Sequence, residues 1–236
     1  MSVKLSFFTG GGVDGIGGNK ILLESDRTTL FLDFGKSFSE ENKYFDEFLK
    51  PRSLNGLGDL LAFDLIPPLP EIYREDLRIP NQKWWEKVSS HPAFRRLAIQ
   101  GVLLSHAHLD HSGYISLLSP DIPIYTSLTS ALIAKAIQDC GISDFLSEIV
   151  YVKPKELLED GLICSNKNYS KPSQQRPYHV FTNQLPPERV ENFWNQAPGK
   201  RPLSPVSFIP ILEGMVNIGD LVIRFWPVDH SIPGAG

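Results

Sequence analysis

One segment constrains this chain more than any other: Leu103-Leu104-Ser105-His106-Ala107-His108-Leu109-Asp110-His111-Ser112-Gly113. The apolar run from Ile99 to Leu104 reads as a buried strand, and three histidines and an aspartate follow it directly. Residues two apart on an extended chain point the same way, so His106 and His108 face one point. Asp110 and His111 fall on the following turn and aim at a second point close by. Imidazole nitrogens and carboxylate oxygens are the donors that hold zinc and similar ions. The two histidines suit one ion and the Asp-His pair suits a neighbour. Two ions roughly 3.5–4 Å apart bridge and activate a hydroxide. The bland alternative is a histidine cluster on a surface loop. Four ligand residues at H-x-H-x-D-H spacing, straight after a buried strand, argue against it.

The rest of the chain reads as a mixed α/β pattern. Val3 to Phe8 alternates like a first strand, and Lys20 to Glu24 with Thr28 to Asp33 reads as a hairpin around Ser25-Asp26-Arg27. The glycine-rich run from Gly10 to Gly18 shadows a dinucleotide fingerprint, but it opens onto a strand and not a helix. A permissive turn near an active site is the better reading. Between Lys36 and Ala98 the texture changes. Asn42 to Leu49, Leu57 to Leu61 and Asn81 to Val88 read as helical, and Ile66-Pro67-Pro68-Leu69-Pro70 as irregular. This stretch is expected to be an insertion, either folded over the site as a lid or without substrate contact.

After the histidine segment, Pro123 to Thr126 reads as a strand. A helix follows to Asp139, capped by Thr126 or Ser127 and ended by Gly141. Glu148 to Val152 reads as a strand, Gly161 to Gln184 as a loop, and Pro187 to Trp194 as a short helix. Val206 to Ile209, Met215 to Ile218 and Leu221 to Pro227 read as strands.

Composition narrows the functional classes. Of 236 residues 42% are hydrophobic and 21% charged, as in a globular protein. The net charge of −4 implies no broad basic surface, so a phosphate-rich partner cannot be argued from charge. Bound cations at one site still attract an anion. No apolar run is long enough to span a bilayer, and the first eight residues are too short and polar for a signal peptide. Cys140 and Cys164 show no framework spacing, which fits reduced thiols and a cytoplasmic protein. His91 and His179 lack ligand context and read as ordinary surface residues.

H-x-H-x-D-H resembles the defining motif of the metallo-β-lactamase superfamily. Phe31-Leu32-Asp33-Phe34-Gly35 looks like its first motif, and Asp229-His230-Ser231-Ile232-Pro233-Gly234-Ala235 like its third. Gly15-Ile16-Gly17-Gly18-Asn19 and the wording of the third motif are similar to the β-CASP nuclease branch, particularly the ribonuclease J-like proteins. The resemblance spans residues 3–35, 99–140 and 220–236. It implies an αββα sandwich, with residues 36–98 as an insertion. It implies that His106, His108 and His230 hold the first metal, and that Asp110 and His111 hold the second. Asp33 then orients the metal loop by hydrogen bonding. Asp110 also helps hold or deprotonate the nucleophile, and Ser231 is a candidate substrate contact. The implied cofactors are two divalent ions, zinc first, with manganese or magnesium as options at the second site.

The family also places a bridging aspartate on a strand after the third motif, and this sequence reaches Gly236 without one. The expectation is therefore the front part of a longer protein, with a weakly held second metal and an exposed sheet edge. The leading expected activity is metal-dependent hydrolysis of RNA phosphodiesters, with DNA as a variant substrate. Aromatic residues such as Tyr73, Trp84 and Trp85 are candidates to stack on bases. The rivals are a thioester, lactone or lactam hydrolase on the same metal core, and a metal-binding remnant without turnover.

Overall fold

The structure is a computed structural model, and it describes residues 2–8, 17–45, 49–142 and 144–236. Most of the glycine-rich turn expected over residues 10–18 lies outside the described residues, as do residues 46–48. The fold is mixed α/β. The chain opens with β1 (Lys4–Phe7), β2 (Ile21–Glu24) and β3 (Thr29–Leu32), an antiparallel meander. Then come α1 (Phe38–Glu41), α2 (Gly58–Ala62), α3 (Gln82–Ser89), β4 (Gly101–Leu103), α4 (Leu109–Ser112), β5 (Ile124–Ser127) and α5 (Leu128–Cys140). The remainder supplies β6 (Tyr151–Val152), β7 (Lys155–Leu157), β8 (Ile163–Ser165), β9 (Ser173–Gln175) and β10 (Tyr178–Phe181). It closes with α6 (Glu188–Trp194), β11 (Leu203–Ser204), β12 (Ile209–Ile211), β13 (Met215–Ile218) and β14 (Leu221–Arg224).

Among the described residues the main sheet has seven strands in the order β1-β2-β3-β4-β5-β10-β12. From β3 to β12 the strands run parallel. Parallel strands bring their carboxyl ends to one edge, and the register puts Leu32 beside Leu103 and Leu103 beside Tyr125. Asp33, Ser105 and Ser127 therefore leave the sheet at the same edge, where ligands bind in open α/β sheets.

Period-two alternation gives the sheet two apolar faces. Leu22, Phe31, Val102, Ile124 and Val180 point into the main core. Leu30, Tyr125, Phe181 and Ile211 point the other way, into a smaller cluster with Ile218 of β13. The segment between Lys36 and Ala98 supplies much of the main core: Leu57, Leu60, Leu65, Ile66, Leu69, Ile72, Tyr73 and Leu77 are all buried there. At about 1.5–3 kcal/mol per fully buried apolar side chain, these residues are as structural as the strands.

Several local expectations shift. Of the helix expected at residues 42–49, residues 46–48 lie outside the described residues and 42–45 are not helical; Asn42 is the C-cap of α1, just before them. Ser37 caps α1 by accepting the Glu40 N–H, and Tyr44 and Phe45 owe their spacing to packing against Phe63. The excursion expected over residues 161–184 contains β10, an internal strand of the main sheet. Only four residues long and interrupted by His179, it shows too little alternation to stand out in a polar stretch. His179 is half-buried and stacks on Tyr125 at 4.4 Å, so it is not an ordinary surface residue. The strand expected at 206–209 lies at β12 instead. The Val206 N–H and carbonyl are taken by the side chains of Gln175 and Trp194, which keeps that residue out of the ladder. The strand expected at 148–152 shrinks to β6, because the Val150 N–H bonds the Gln138 side-chain oxygen and the Glu148 and Ile149 N–H groups bond back to Phe145 and Ser147. No described helix is long and apolar enough to cross a membrane.

Candidate metal centre

The segment from Ser105 to Gly113 turns off the end of β4 and is held by its neighbours on several sides. The Gly18 and Asn19 N–H groups both donate to the Asp110 carbonyl, at 2.8 and 3.2 Å. Phe34 N–H donates to the His111 carbonyl, Lys36 N–H to that of Leu109, and Tyr114 N–H to that of Phe34. Gly35 lies so close that a Cβ there would sit 1.7 Å from the Asp110 carbonyl oxygen. Behind this lattice lies Lys20, fully buried, donating to the Gly18 and Gly35 carbonyls at 2.8 and 3.1 Å. Burial lowers its pKa to about 7.

Asp33 adopts φ +56°, a left-handed conformation that aspartate tolerates better than most residues. Its bonds offset that strain. Its N–H donates to the Leu103 carbonyl at 2.9 Å. Its Oδ1 accepts the Ser105 N–H at 2.8 Å, and its Oδ2 accepts the Ser105 hydroxyl at 3.0 Å. His111 Nδ1 lies 2.7 Å from the same Oδ2. Donor accounting then fixes the tautomers. A carboxylate only accepts, so His111 carries its proton on Nδ1 and offers Nε2. The Ser105 hydroxyl spends its proton on Asp33, so at 2.9 Å it accepts from His106 Nδ1, which leaves His106 Nε2 as a lone pair.

That lone pair is the centre of the site. His106 Nε2 lies 3.1 Å from His108 Nδ1 and 3.0 Å from His230 Nε2. Ligand atoms of the three residues fall within 4.8 Å of one another. A zinc ion with Zn–N bonds of about 2.0–2.1 Å and tetrahedral angles separates its ligand nitrogens by roughly 3.3–3.4 Å. Three imidazole nitrogens converging this closely fit a divalent ion. His106 is buried, His108 half-buried and His230 exposed, so the cluster opens outward. Burial, with repulsion from His111 and His230, lowers the His106 pKa to about 4, which keeps its imidazole neutral at pH 7.

Asp110 and His111 come together beside this triad. His111 Nε2 is 3.6 Å from Asp110 Oδ2, and the His106 and His111 rings are 4.1 Å apart. Burial opposes charging of His111, yet its bond to Asp33 and the nearby carboxylates raise its pKa overall. Among the described residues this pair has no third donor grouped with it.

The C-terminal segment delivers His230. The Val228 N–H bonds the Ala235 carbonyl at 3.0 Å, closing a loop, and the Gly236 N–H bonds the Ser105 carbonyl at 3.1 Å. Ser231 is exposed beside His230. Of the aromatic candidates, Tyr73 is buried and bonds the Pro67 carbonyl, so it cannot stack on a base. Trp84 and Trp85 are half-buried against the main core and each other. Sequence reasoning missed Ser105 and Lys20; of the two, only Ser105, between a buried strand and a candidate ligand, carried a usable signal.

No protein-family model matches this chain. No curated protein matches it. A protein of unknown function from Enterococcus faecalis V583, known from its crystal structure, is similar at 19% identity and a TM-score of 0.43. That match covers 78% of this chain. The chain spans less than half of that protein, 45% of its length. Similarity at this level assigns neither a fold family nor an activity.

Proposed function

We propose that this chain is a metal-dependent hydrolase of the metallo-β-lactamase type, acting on RNA phosphodiesters with zinc as the first ion. The observation that carries the reading is the convergence of His106, His108 and His230 on one point. Asp110 and His111 hold a second, weaker ion, with manganese or magnesium as alternatives to zinc. Such ions, when bound, polarise a phosphoryl oxygen and acidify a water.

The chain's own residues do the rest. Asp33 and Ser105 fix the His106 tautomer, so that Nε2 meets the ion without losing a proton first. Asp33 likewise fixes His111. Asp110, half-buried at the rim, takes the proton of the attacking water at Oδ2. Ser231, exposed next to His230, contacts the substrate. The wording of the segment from Asp229 to Ala235 supports a nuclease over other hydrolases, and the outward opening of the cluster suits a polymer, RNA before DNA. The net charge of −4 supports the rival, a small thioester, lactone or lactam substrate.

The test combines metal analysis with cleavage. Purified protein is assayed for zinc and manganese, then given labelled single-stranded RNA and, separately, a thioester, with and without chelator. Chelator-sensitive RNA cleavage that His108→Ala abolishes is the expected result. Thioester turnover without RNA cleavage selects the rival. Metal binding without turnover leaves a metal-binding domain, and no metal binding overturns the ligand assignment.

A further inference from the structure

His230 differs from its two partner histidines in how it is held. His106 and His108 lie on a segment braced by Asp33, Gly18, Asn19 and Lys36. His230 lies on an exposed loop, tied at its end by the Gly236–Ser105 bond and, on its far side, to the start of α5. The Gly234 carbonyl accepts two hydroxyl protons, from Ser127 at 2.6 Å and from Ser130 at 2.9 Å. Ser127 serves twice, because its oxygen also accepts the Ser130 N–H at 3.0 Å as the N-cap of α5. Gly234 has φ +84°, and a Cβ there would meet Ser127 Oγ and Thr129 Cβ at 2.7 Å each. The close approach therefore needs glycine.

We propose that Ser127 and Ser130 are positioning residues for His230: their paired hydroxyls hold the Gly234 carbonyl and so set His230 against His106. This rests on the metal-triad reading. α5 is the longest described helix and packs against β5 and β10. It is a rigid post, and the clamp transfers that rigidity to a loop with little core of its own. Groups that orient a metal ligand typically alter affinity 10–100-fold.

The test uses the full chain and two readouts. The first is zinc affinity by competition with a chromophoric chelator. The second is hydrogen exchange of the Val228 and Gly236 amides in metal-free protein. Ser130→Ala removes one hydroxyl and leaves the helix cap. Ser127→Asp keeps an N-cap acceptor but cannot donate to Gly234. Each is expected to weaken zinc binding about tenfold and to speed exchange at both amides, whereas Ser127→Thr, which keeps the hydroxyl, leaves both at wild-type values. In a His230→Ala background Ser130→Ala should cost no further affinity, because the clamp acts through that ring. Unchanged exchange in both variants overturns the clamp. So does an affinity loss that persists undiminished without His230. Zinc binding absent from the wild-type chain overturns the triad instead, while exchange still decides whether the serines fix the loop.

Discussion

The two regions that meet at the histidines are built differently. The segment from Ser105 to Gly113 is interlocked with residues 17–20 and 33–36 by backbone bonds and by glycines too tight to bear a side chain. The region from Met215 to Gly236 rests on the outer face of the sheet. Its hairpin buries Ile218 and stacks Phe225 on Phe181 at 5.2 Å, while Val222, Trp226 and Val228 stay exposed. Four of the five candidate ligands sit in the first region and one in the second. The difference teaches that most of the centre is preformed by the fold, and its completion depends on a few polar ties.

The sharpest way to break this contrast is at Gly35. A methyl group at 1.7 Å from a backbone oxygen cannot be absorbed by a rotamer change. Gly35→Ala should cost about 4 kcal/mol or more, read as a lower urea midpoint, and should abolish zinc binding. A variant that keeps wild-type stability shows that the two loops are not interlocked.

Next in size is a pH effect at Lys20. Its folded pKa, about 7, lies below its ordinary value of 10.5 because burial penalises the charge. Between those values the unfolded chain holds a proton that the folded one does not. Stability should therefore rise with pH across that window, by about 1.4 kcal/mol per unit. The neutral amine still donates to Gly18 and Gly35, so the lattice survives uncharged. Urea melts at several pH values, with Lys20→Met as the control that flattens the slope, measure this. An equal slope in that control places the effect elsewhere.

Legibility in the sequence follows the same division. The strand before His106, the hairpin ahead of Asp33, the Ser127 cap and α3 were all readable, because each has a local signature: alternation, a cap, a helical period. The candidate ligands His106, His108, Asp110 and His111 were readable because their types and spacing are rare, whereas His230 was reached only through the resemblance of its segment. What stayed hidden depends on partners distant in sequence. β10 is a strand because β5 and β12 flank it. The buried segment from Leu57 to Leu77 has no single strong period, so its share of the core emerges only in three dimensions. Ser127 was legible as a cap but not as a donor to Gly234, 107 positions away.

A smaller effect is expected at Asp33. Asp33→Asn keeps tolerance for positive φ and an acceptor for the Ser105 N–H. It loses the charge that holds the His111 Nδ1 proton. Zinc affinity should fall about 10–100-fold with stability little changed. An affinity within twofold of wild type removes Asp33 from the centre.

The smallest effect concerns only the second region. Thr28 is buried at the β2–β3 turn; its hydroxyl donates to the Asp220 carboxylate at 2.5 Å, lies 3.0 Å from the Ile218 carbonyl, and accepts the Asp220 N–H at 3.0 Å. Ser25 donates to the same Asp220 oxygen at 2.6 Å. These bonds tie the tip of the β13–β14 hairpin to the sheet. Thr28→Val keeps the shape and removes the hydroxyl that bonds both the Asp220 carboxylate and its N–H, which costs about 1 kcal/mol. Because the first region makes none of these bonds, amide exchange should quicken from Ile218 to Arg224 and stay unchanged at Leu103. Equal acceleration in both places means that the hairpin and the strand-end segment open as one unit, and the contrast between the two regions fails.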